Sequence, residues 1–168
     1  MTFHDVRYLR DWSYSGPIDM SREESLASGM FPDSNTVWSN ISAGRAGLIN
    51  LTEEIGSPFI EGMRQMTWLK TTIESEKDQV KRLHLGFSDD LWIFINNSLL
   101  YIDMNTYNNP ISKEPNGRLH IENTTTDLPL KQGSNEILVS LANDFYGWGL
   151  VARLDNTDGI TDKMRHEE

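Results

Sequence analysis

The sequence predicts an all-β fold, a single antiparallel β-sandwich of jelly-roll type with at most one short N-terminal helix. In the second half of the chain, apolar and β-branched residues alternate with polar ones, as in strands with one buried face. Asn, Gly, Asp and Pro separate these short segments, which is typical of turns. The 3.6-residue spacing of an amphipathic helix is nearly absent. Repeats of roughly 20 to 50 residues are also absent, which disfavours propellers and solenoids.

The first 60 residues have the least regular pattern. Residues 11–17 are typical of a strand that ends in a turn, and residues 36–41 and 46–51 predict two more short strands. Residues 21–24 (Ser-Arg-Glu-Glu) fit the capping box that begins many helices, and Gly29 is a suitable residue to end one. We therefore expect a helix of about two turns between them.

The second half predicts the two sheets. Alternation is clear in residues 67–74 and 80–87, whereas residues 91–95 are apolar on both faces, as in a central strand that is covered from both sides. Residues 96–98 (Asn-Asn-Ser) predict a tight hairpin turn, because Asn tolerates a positive φ. Residues 103–117 predict a long loop. Further strands are expected at residues 99–102, 118–122, 124–130, 135–142 and 148–154.

Length predicts one domain over residues 1–155, with its core in residues 64–154 and a polar tail over residues 156–168. The chain has 15 basic and 25 acidic residues, a net charge of −10 and a pI near 4.8. Nucleic acids and anionic membranes bind through excess Lys and Arg, so we expect neither as a partner. The absence of Cys excludes disulfides, thiolate metal sites and thiol nucleophiles.

The first residues contain no apolar run that is long enough for an export signal. We therefore expect a cytoplasmic location if the chain is full-length, and an extracellular or periplasmic one if it is excised from a secreted parent.

Several short pieces occur in a familiar order. They are residues 12–17 (Trp-Ser-Tyr-Ser-Gly-Pro), 71–73 (Thr-Thr-Ile), 83–86 (Leu-His-Leu-Gly), 89–96 (Asp-Asp-Leu-Trp-Ile-Phe-Ile-Asn) and 128–137 (Leu-Pro-Leu-Lys-Gln-Gly-Ser-Asn-Glu-Ile). In this order the chain resembles the galactose-binding-like jelly-roll domains that accompany bacterial glycoside hydrolases. One departure is Asn97, where the family usually has Gly in the hairpin. The resemblance implies a β-sandwich, often without catalytic activity, that binds carbohydrate or supports a neighbouring catalytic domain.

Common catalytic motifs are missing from the sequence, including the nucleophile elbow, the phosphate-binding and dinucleotide-binding loops and the His-Glu-x-x-His zinc motif. Asp89 and Asp90 are the obvious carboxylate pair for glycoside hydrolysis, but adjacent side chains on a strand point to opposite faces. A turn with an acidic cap is the alternative. We expect a non-catalytic module, and a small glycoside hydrolase or esterase stays open as a further alternative.

No cofactor is expected from the sequence. Residues 155–159 resemble a calcium-binding loop, but the alignment places Leu154 at the first ligand position and Arg165 at the twelfth, where a carboxylate is required. A structural calcium held by other loop carboxylates and carbonyls stays open.

Exposed aromatic residues are the main signal for a ligand site, because sugar sites combine a flat ring with amides, carboxylates and Arg. Trp68 shares its strand face with Lys70, opposite Leu69, and Arg82 and His84 join that face if their strand is a neighbour. The alternative is that the long loop or the N-terminal segment covers Trp68.

A second candidate is the Gly-flanked turn around Trp148, with Asp144 and Tyr146 nearby. The alternative is that Trp148 fills the core. The sequence thus predicts a sugar stacked on Trp68 or Trp148, with hydroxyl contacts from Asp89, Asp144 and Arg82. The expected partner is a carbohydrate or a neighbouring catalytic domain, and the main rival function is structural docking. The candidate ligand-binding residues are Trp68, Lys70, Arg82, His84, Asp89, Asp144, Tyr146 and Trp148.

Overall fold

The computed structural model describes residues 5–22, 24, 26, 28–57, 60–106, 113, 118–144 and 147–161. Twelve strands lie within these residues: β1 Asp11–Ser15, β2 Ile18–Ser21, β3 Trp38–Ser42, β4 Leu48–Asn50, β5 Met63–Ser75, β6 Gln79–Ser88, β7 Asp90–Ile95, β8 Ser98–Met104, β9 Thr124–Leu130, β10 Gly133–Asn143, β11 Gly149–Leu154 and β12 Ile160–Thr161. One short helix, α1, spans Leu51–Ile55, and 3₁₀ turns span Ser28–Met30 and Arg45–Gly47.

The strands form two antiparallel sheets. The larger sheet has the order β3-β1-β5-β10-β7-β8, with β2 and β12 also paired to the long strand β5. The smaller sheet has the order β4-β11-β6-β9. The predicted all-β, antiparallel sandwich is therefore confirmed.

The core lies between the inner faces of the two sheets. Alternate residues such as Leu69 and Ile73 on β5 and Leu85 and Phe87 on β6 are at most 4% exposed there. Period-two alternation produces this layer, because successive side chains on a strand point to opposite faces.

A second apolar cluster lies on the opposite, outer face of the larger sheet. Met66, Trp68 and Phe94 are its centre, and Met20 and Met30 of the N-terminal segment pack on it. The outer face is therefore partly covered, and only its uncovered parts are available to a ligand.

The hairpin between β7 and β8 has the predicted turn. Asn96 and Asn97 have φ values of 47° and 66°. The Asn96 side chain also donates to Asn135 Oδ1 at 2.9 Å and accepts from the Glu136 N–H at 2.9 Å, which ties the hairpin to β10.

The helix predicted over residues 21–29 is contradicted by the described residues of this segment, which leave out Glu23, Ser25 and Ala27. Ser21 is the last residue of β2, whose pairing with β5 holds it extended, and Ser28–Met30 form only a 3₁₀ turn. One bond of the capping box is present, from the Ser21 N–H to Glu24 Oε2 at 2.8 Å. The α-helix of the described residues is α1, where Asn50 caps the Glu53 N–H at 3.1 Å.

The predicted strand at residues 118–122 is also wrong, because this segment folds into a turn. The Asn123 side chain holds it, accepting from the His120 N–H at 2.9 Å and donating to the Arg118 carbonyl at 3.2 Å. Most of the predicted loop over residues 103–117 lies outside the described residues, and its first two residues belong to β8.

Within residues 156–168, expected as a polar tail, Ile160 and Thr161 pair with Ser75 and Glu74 of β5. The neighbouring Asn156 accepts from the buried Lys81 ammonium at 2.5 Å. Residues 162–168 lie outside the described part of the chain. None of the helices among the described residues is long and apolar enough to span a membrane.

Candidate functional site

The most promising recess is a cleft on the outer face of the larger sheet, with a volume of about 200 Å³. We name it the Arg64 cleft. Its apolar wall includes Met66, Trp92, Ile102 and Met104, and its polar wall includes Arg64, Asp90 and Asp103. The partly exposed Trp92 ring and the charged groups thus border one space.

Arg64 is the centre of the polar wall. Its guanidinium donates to Asp90 Oδ2 at 2.5 Å, to Asp144 Oδ1 at 3.3 Å and to the Glu24 carbonyl at 2.7 Å. The three charged side chains are only 10 to 17% exposed. Burial alone would lower the pKa of Arg64, but the hydrogen bond and the charge of Asp90, together with Asp144, raise it. Arg64 therefore carries its charge at every ordinary pH.

Asp90 is a largely buried carboxyl of the cleft. Burial raises the pKa of Asp90 and the Asp144 carboxylate reinforces this, although the hydrogen bond from Arg64 opposes it. In the described part of the chain, Asp90 Oδ1 and Arg64 Nε are both buried without a hydrogen-bond partner. The ion pair thus contains one acceptor and one donor that lack a partner within the described residues, and both atoms are shielded from solvent.

Asp103, on the other side of the cleft, is already engaged. One carboxylate oxygen accepts from the Tyr101 hydroxyl and from Lys113 Nζ, the latter at 2.7 Å. Burial, helped by the Asp103 acceptor, raises the pKa of Tyr101 to about 12. Tyr101 therefore stays a neutral donor, and Asp103 has less capacity for a ligand than Asp90.

Asp89 supports the cleft indirectly, through a hydrogen bond from the Asp144 N–H. It is 1% exposed, and its carboxylate accepts from the Ser88 hydroxyl and from the Asp144 N–H, both at 2.6 Å. Asp144 in turn reaches Arg64. The structure thus brings the two predicted contact residues Asp89 and Asp144 together, with Asp89 as a buried residue that positions Asp144 and without access to a ligand.

The two Trp residues predicted to stack on a sugar are buried. Trp68 is 1% exposed and donates from Nε1 to the Met30 carbonyl at 2.7 Å. Its ring packs against the Phe31 ring, with the two ring centroids 5.0 Å apart. Trp148 is 3% exposed in the main core and donates to the Gly56 carbonyl at 2.8 Å. The alternatives considered above, a covered Trp68 and a core Trp148, describe the structure. The prediction that a sugar stacks on Trp68 or Trp148 is therefore wrong, because neither ring has a face exposed to solvent.

Arg82 and His84 lie on the smaller sheet, remote from the cleft. Arg82 bonds to Asp127 at 2.9 Å and Thr125 at 2.8 Å across the β6–β9 pair. Burial, with the charge of Arg153, lowers the pKa of His84. Arg82 and His84 are expected to share a face with Trp68 only if their strand is a neighbour of β5, and this condition is not met, because β6 belongs to the other sheet.

Lys70 lies on the same outer face as the cleft but outside it. Its ammonium stands 4.0 Å from the Trp38 ring centroid. It borders a separate polar groove of about 500 Å³ that includes Asn40, Thr72 and Glu136. Tyr146, the last predicted ligand residue, lies outside the described residues.

A metal centre has no support in the described residues, where no group of three or more His, Asp or Glu side chains is placed to hold an ion. The sequence reasoning missed Arg64 and Trp92. A signal existed for Trp92, the indole in the apolar run of residues 91–95, but none existed for Arg64.

Comparison with known proteins shows the fold. No family model and no curated protein matches the chain. Two structures of a β-glucosidase from Kluyveromyces marxianus match it. The selenomethionine-labelled one has a TM-score of 0.54 and 14% identity, and the match covers 86% of this chain and 17% of that chain. The structure in complex with glucose has a TM-score of 0.52 and 12% identity, and the match covers 85% of this chain and 16% of that chain.

A family 35 carbohydrate binding module from an environmental isolate also matches, with 16% identity over 56% of this chain and 68% of that chain. Its TM-score is 0.41. The two β-glucosidase matches show that the chain shares the β-sandwich fold of part of that enzyme. The predicted resemblance to domains that accompany glycoside hydrolases is thereby confirmed as a likeness of fold.

Proposed function

We propose that this chain is a non-catalytic carbohydrate-binding module, built as one domain over residues 1–155, and that it binds sugar in the Arg64 cleft. The observation that carries the proposal is the combination of Trp92 with Arg64 and Asp90 around one recess. A sugar ring presents C–H bonds on its faces and hydroxyls around its rim, and an indole beside a guanidinium and a carboxylate matches both.

The unsatisfied atoms of the cleft support the same ligand chemistry. Asp90 Oδ1 and Arg64 Nε lack partners within the described residues and are buried, so a ligand must first displace the atoms that cover them. A sugar hydroxyl, which both donates and accepts, would then match either atom. A buried polar atom without a partner costs about 1–3 kcal/mol. A ligand that reaches both atoms would recover part of that free energy.

The arrangement of the carboxylates favours binding over catalysis. Asp90 and Asp144 share the Arg64 guanidinium, and Asp89 is buried and bonded to the Asp144 N–H. A glycosidase needs two carboxylates that face the scissile bond from opposite sides. The likeness to part of a β-glucosidase supports an accessory role beside a catalytic domain, because this chain covers only 16 to 17% of that enzyme.

A glycan array followed by calorimetric titration tests the proposal. We expect saturable binding of at least one glycan, weakened about tenfold or more by Asp90→Asn, because a hydrogen bond to a charged group contributes about 1.5–3 kcal/mol. Asp127→Asn is the matched control, since Asp127 also pairs with an Arg but on the smaller sheet. An equal loss in both variants, or no bound glycan at all, would contradict the proposal and favour a docking module.

A further inference from the structure

The outer face of the β7–β8 pair changes from charged to apolar along its length. Three cross-strand pairs follow one another there: Asp90 with Met104, Trp92 with Ile102, and Phe94 with Leu99. The first two pairs line the Arg64 cleft. The third lies beyond it, toward the hairpin turn.

The apolar side chains that β8 contributes to this row are open to solvent along its whole length. Leu99, Ile102 and Met104, which we name the β8 strip, are 51%, 46% and 39% exposed. Four residue steps separate Asp90 from Phe94, which is about 13 Å along an extended strand. That length accommodates one sugar ring and a short apolar group attached to it.

We propose that the Arg64 cleft takes a glycoside with an apolar aglycone, the sugar against Asp90 and Arg64 and the aglycone along the β8 strip. This inference rests on the proposed carbohydrate binding and adds the class of ligand. Ile102 and Met104 belong to both the cleft and the strip, so an apolar group on the strip is continuous with a ring in the cleft. A purely polar ligand would leave the β8 strip uncovered, and a purely apolar ligand would leave Asp90 and Arg64 without a polar contact.

A soluble glycoside fits this surface better than a membrane. The strip consists of three side chains on one strand. A net charge of −10 also repels the anionic lipids that hold many proteins at a bilayer.

Calorimetric titration with methyl, hexyl and phenyl β-D-glucosides and β-D-galactosides tests the inference, with hexylphosphocholine as an apolar control that carries no sugar. Each methylene that reaches the strip tightens binding by about fourfold. We expect a hexyl glycoside to bind at least about tenfold more tightly than its methyl counterpart. Leu99→Ser, outside the cleft, should reduce that ratio and leave methyl glycoside affinity unchanged.

Val80→Ser is the matched control, because Val80 is 64% exposed on the smaller sheet. The hexyl-to-methyl ratio should be unchanged in this variant, and both variants should retain the unfolding midpoint of the wild type. Equal affinity for methyl and hexyl glycosides would overturn the inference and leave the proposed function intact. Hexylphosphocholine binding as tightly as the hexyl glycosides, with no binding of methyl glycosides, would overturn both.

Discussion

Arg64→Met offers a sharp test of how the cleft is held together. The substitution keeps most of the side-chain volume and removes the guanidinium that joins Asp90, Asp144 and the Glu24 carbonyl. Two carboxylates, 15% and 17% exposed, are then left facing each other without their cation. Removing one partner of a buried ion pair destabilises a protein by about 3–5 kcal/mol.

The expected loss lies at the lower end of that range, about 3 kcal/mol, because these side chains keep some contact with water. Urea unfolding followed by tryptophan fluorescence measures it. With a slope of about 1–3 kcal/mol per molar, the midpoint should fall by roughly 1–3 M. Arg82→Met is the matched control, since the Arg82–Asp127 pair is more than half exposed and such pairs contribute about 0–1 kcal/mol.

At acidic pH, the free energies of unfolding of Arg64→Met and of the wild type should differ less than at neutral pH. Burial already raises the pKa of Asp90 above its ordinary value of 3.8 in the folded protein, and losing Arg64 removes the main opposing influence. The folded variant then takes up a proton more readily than the unfolded chain, so its stability falls as the pH rises above that value and recovers as the pH falls. A loss no larger than that of Arg82→Met, or a loss that grows in acid, would refute this account of the cleft.

Three further predictions follow from burial elsewhere. In a spectrophotometric titration the last tyrosine step should lie near the pKa of about 12 of Tyr101 and vanish in Tyr101→Phe, whereas complete ionisation of all five tyrosines near pH 10 would contradict it. Iodide should quench chiefly the partly exposed Trp38 and Trp92, and quenching that survives the double substitution to Phe would contradict the burial of the other three indoles. Gly86→Ala places a Cβ 2.2 Å from the His120 carbonyl oxygen and should cost about 1–3 kcal/mol by thermal unfolding, and an unchanged midpoint would contradict that close contact.

The sheets were predictable because their signal is local. Alternation along β5 and β6 places Leu69 and Leu85 in the core, and the Asn96–Asn97 turn needs only residues that tolerate a positive φ. The strand expected at residues 118–122 is replaced by a turn that the Asn123 side chain holds, and the helix expected over residues 21–29 failed because tertiary pairing decides there. Ser21 ends a strand despite its capping pattern, because β2 pairs with β5.

The site was less predictable, because it depends on which strands meet. Sequence alternation placed Trp68 on the outer face correctly, but covering by Met30 and Phe31 from far along the chain is not visible in a local pattern. Likewise, Arg64 on β5 and Asp90 on β7 lie 26 residues apart in the sequence. Both strands pair antiparallel with β10, which lies between them, so their first residues lie at the same end of the sheet. No spacing rule predicts that meeting.

The most direct test of the central claim is a titration of ¹⁵N-labelled protein with a glycan that it binds, followed through the indole N–H signals of its five Trp residues. Single Trp→Phe variants assign each signal. Sugar binding in the Arg64 cleft predicts that the Trp92 signal shifts saturably, while those of the buried Trp68 and Trp148 and of Trp38, outside the cleft, stay in place. A saturable shift of Trp38 with Trp92 unmoved would place the sugar elsewhere and contradict the account.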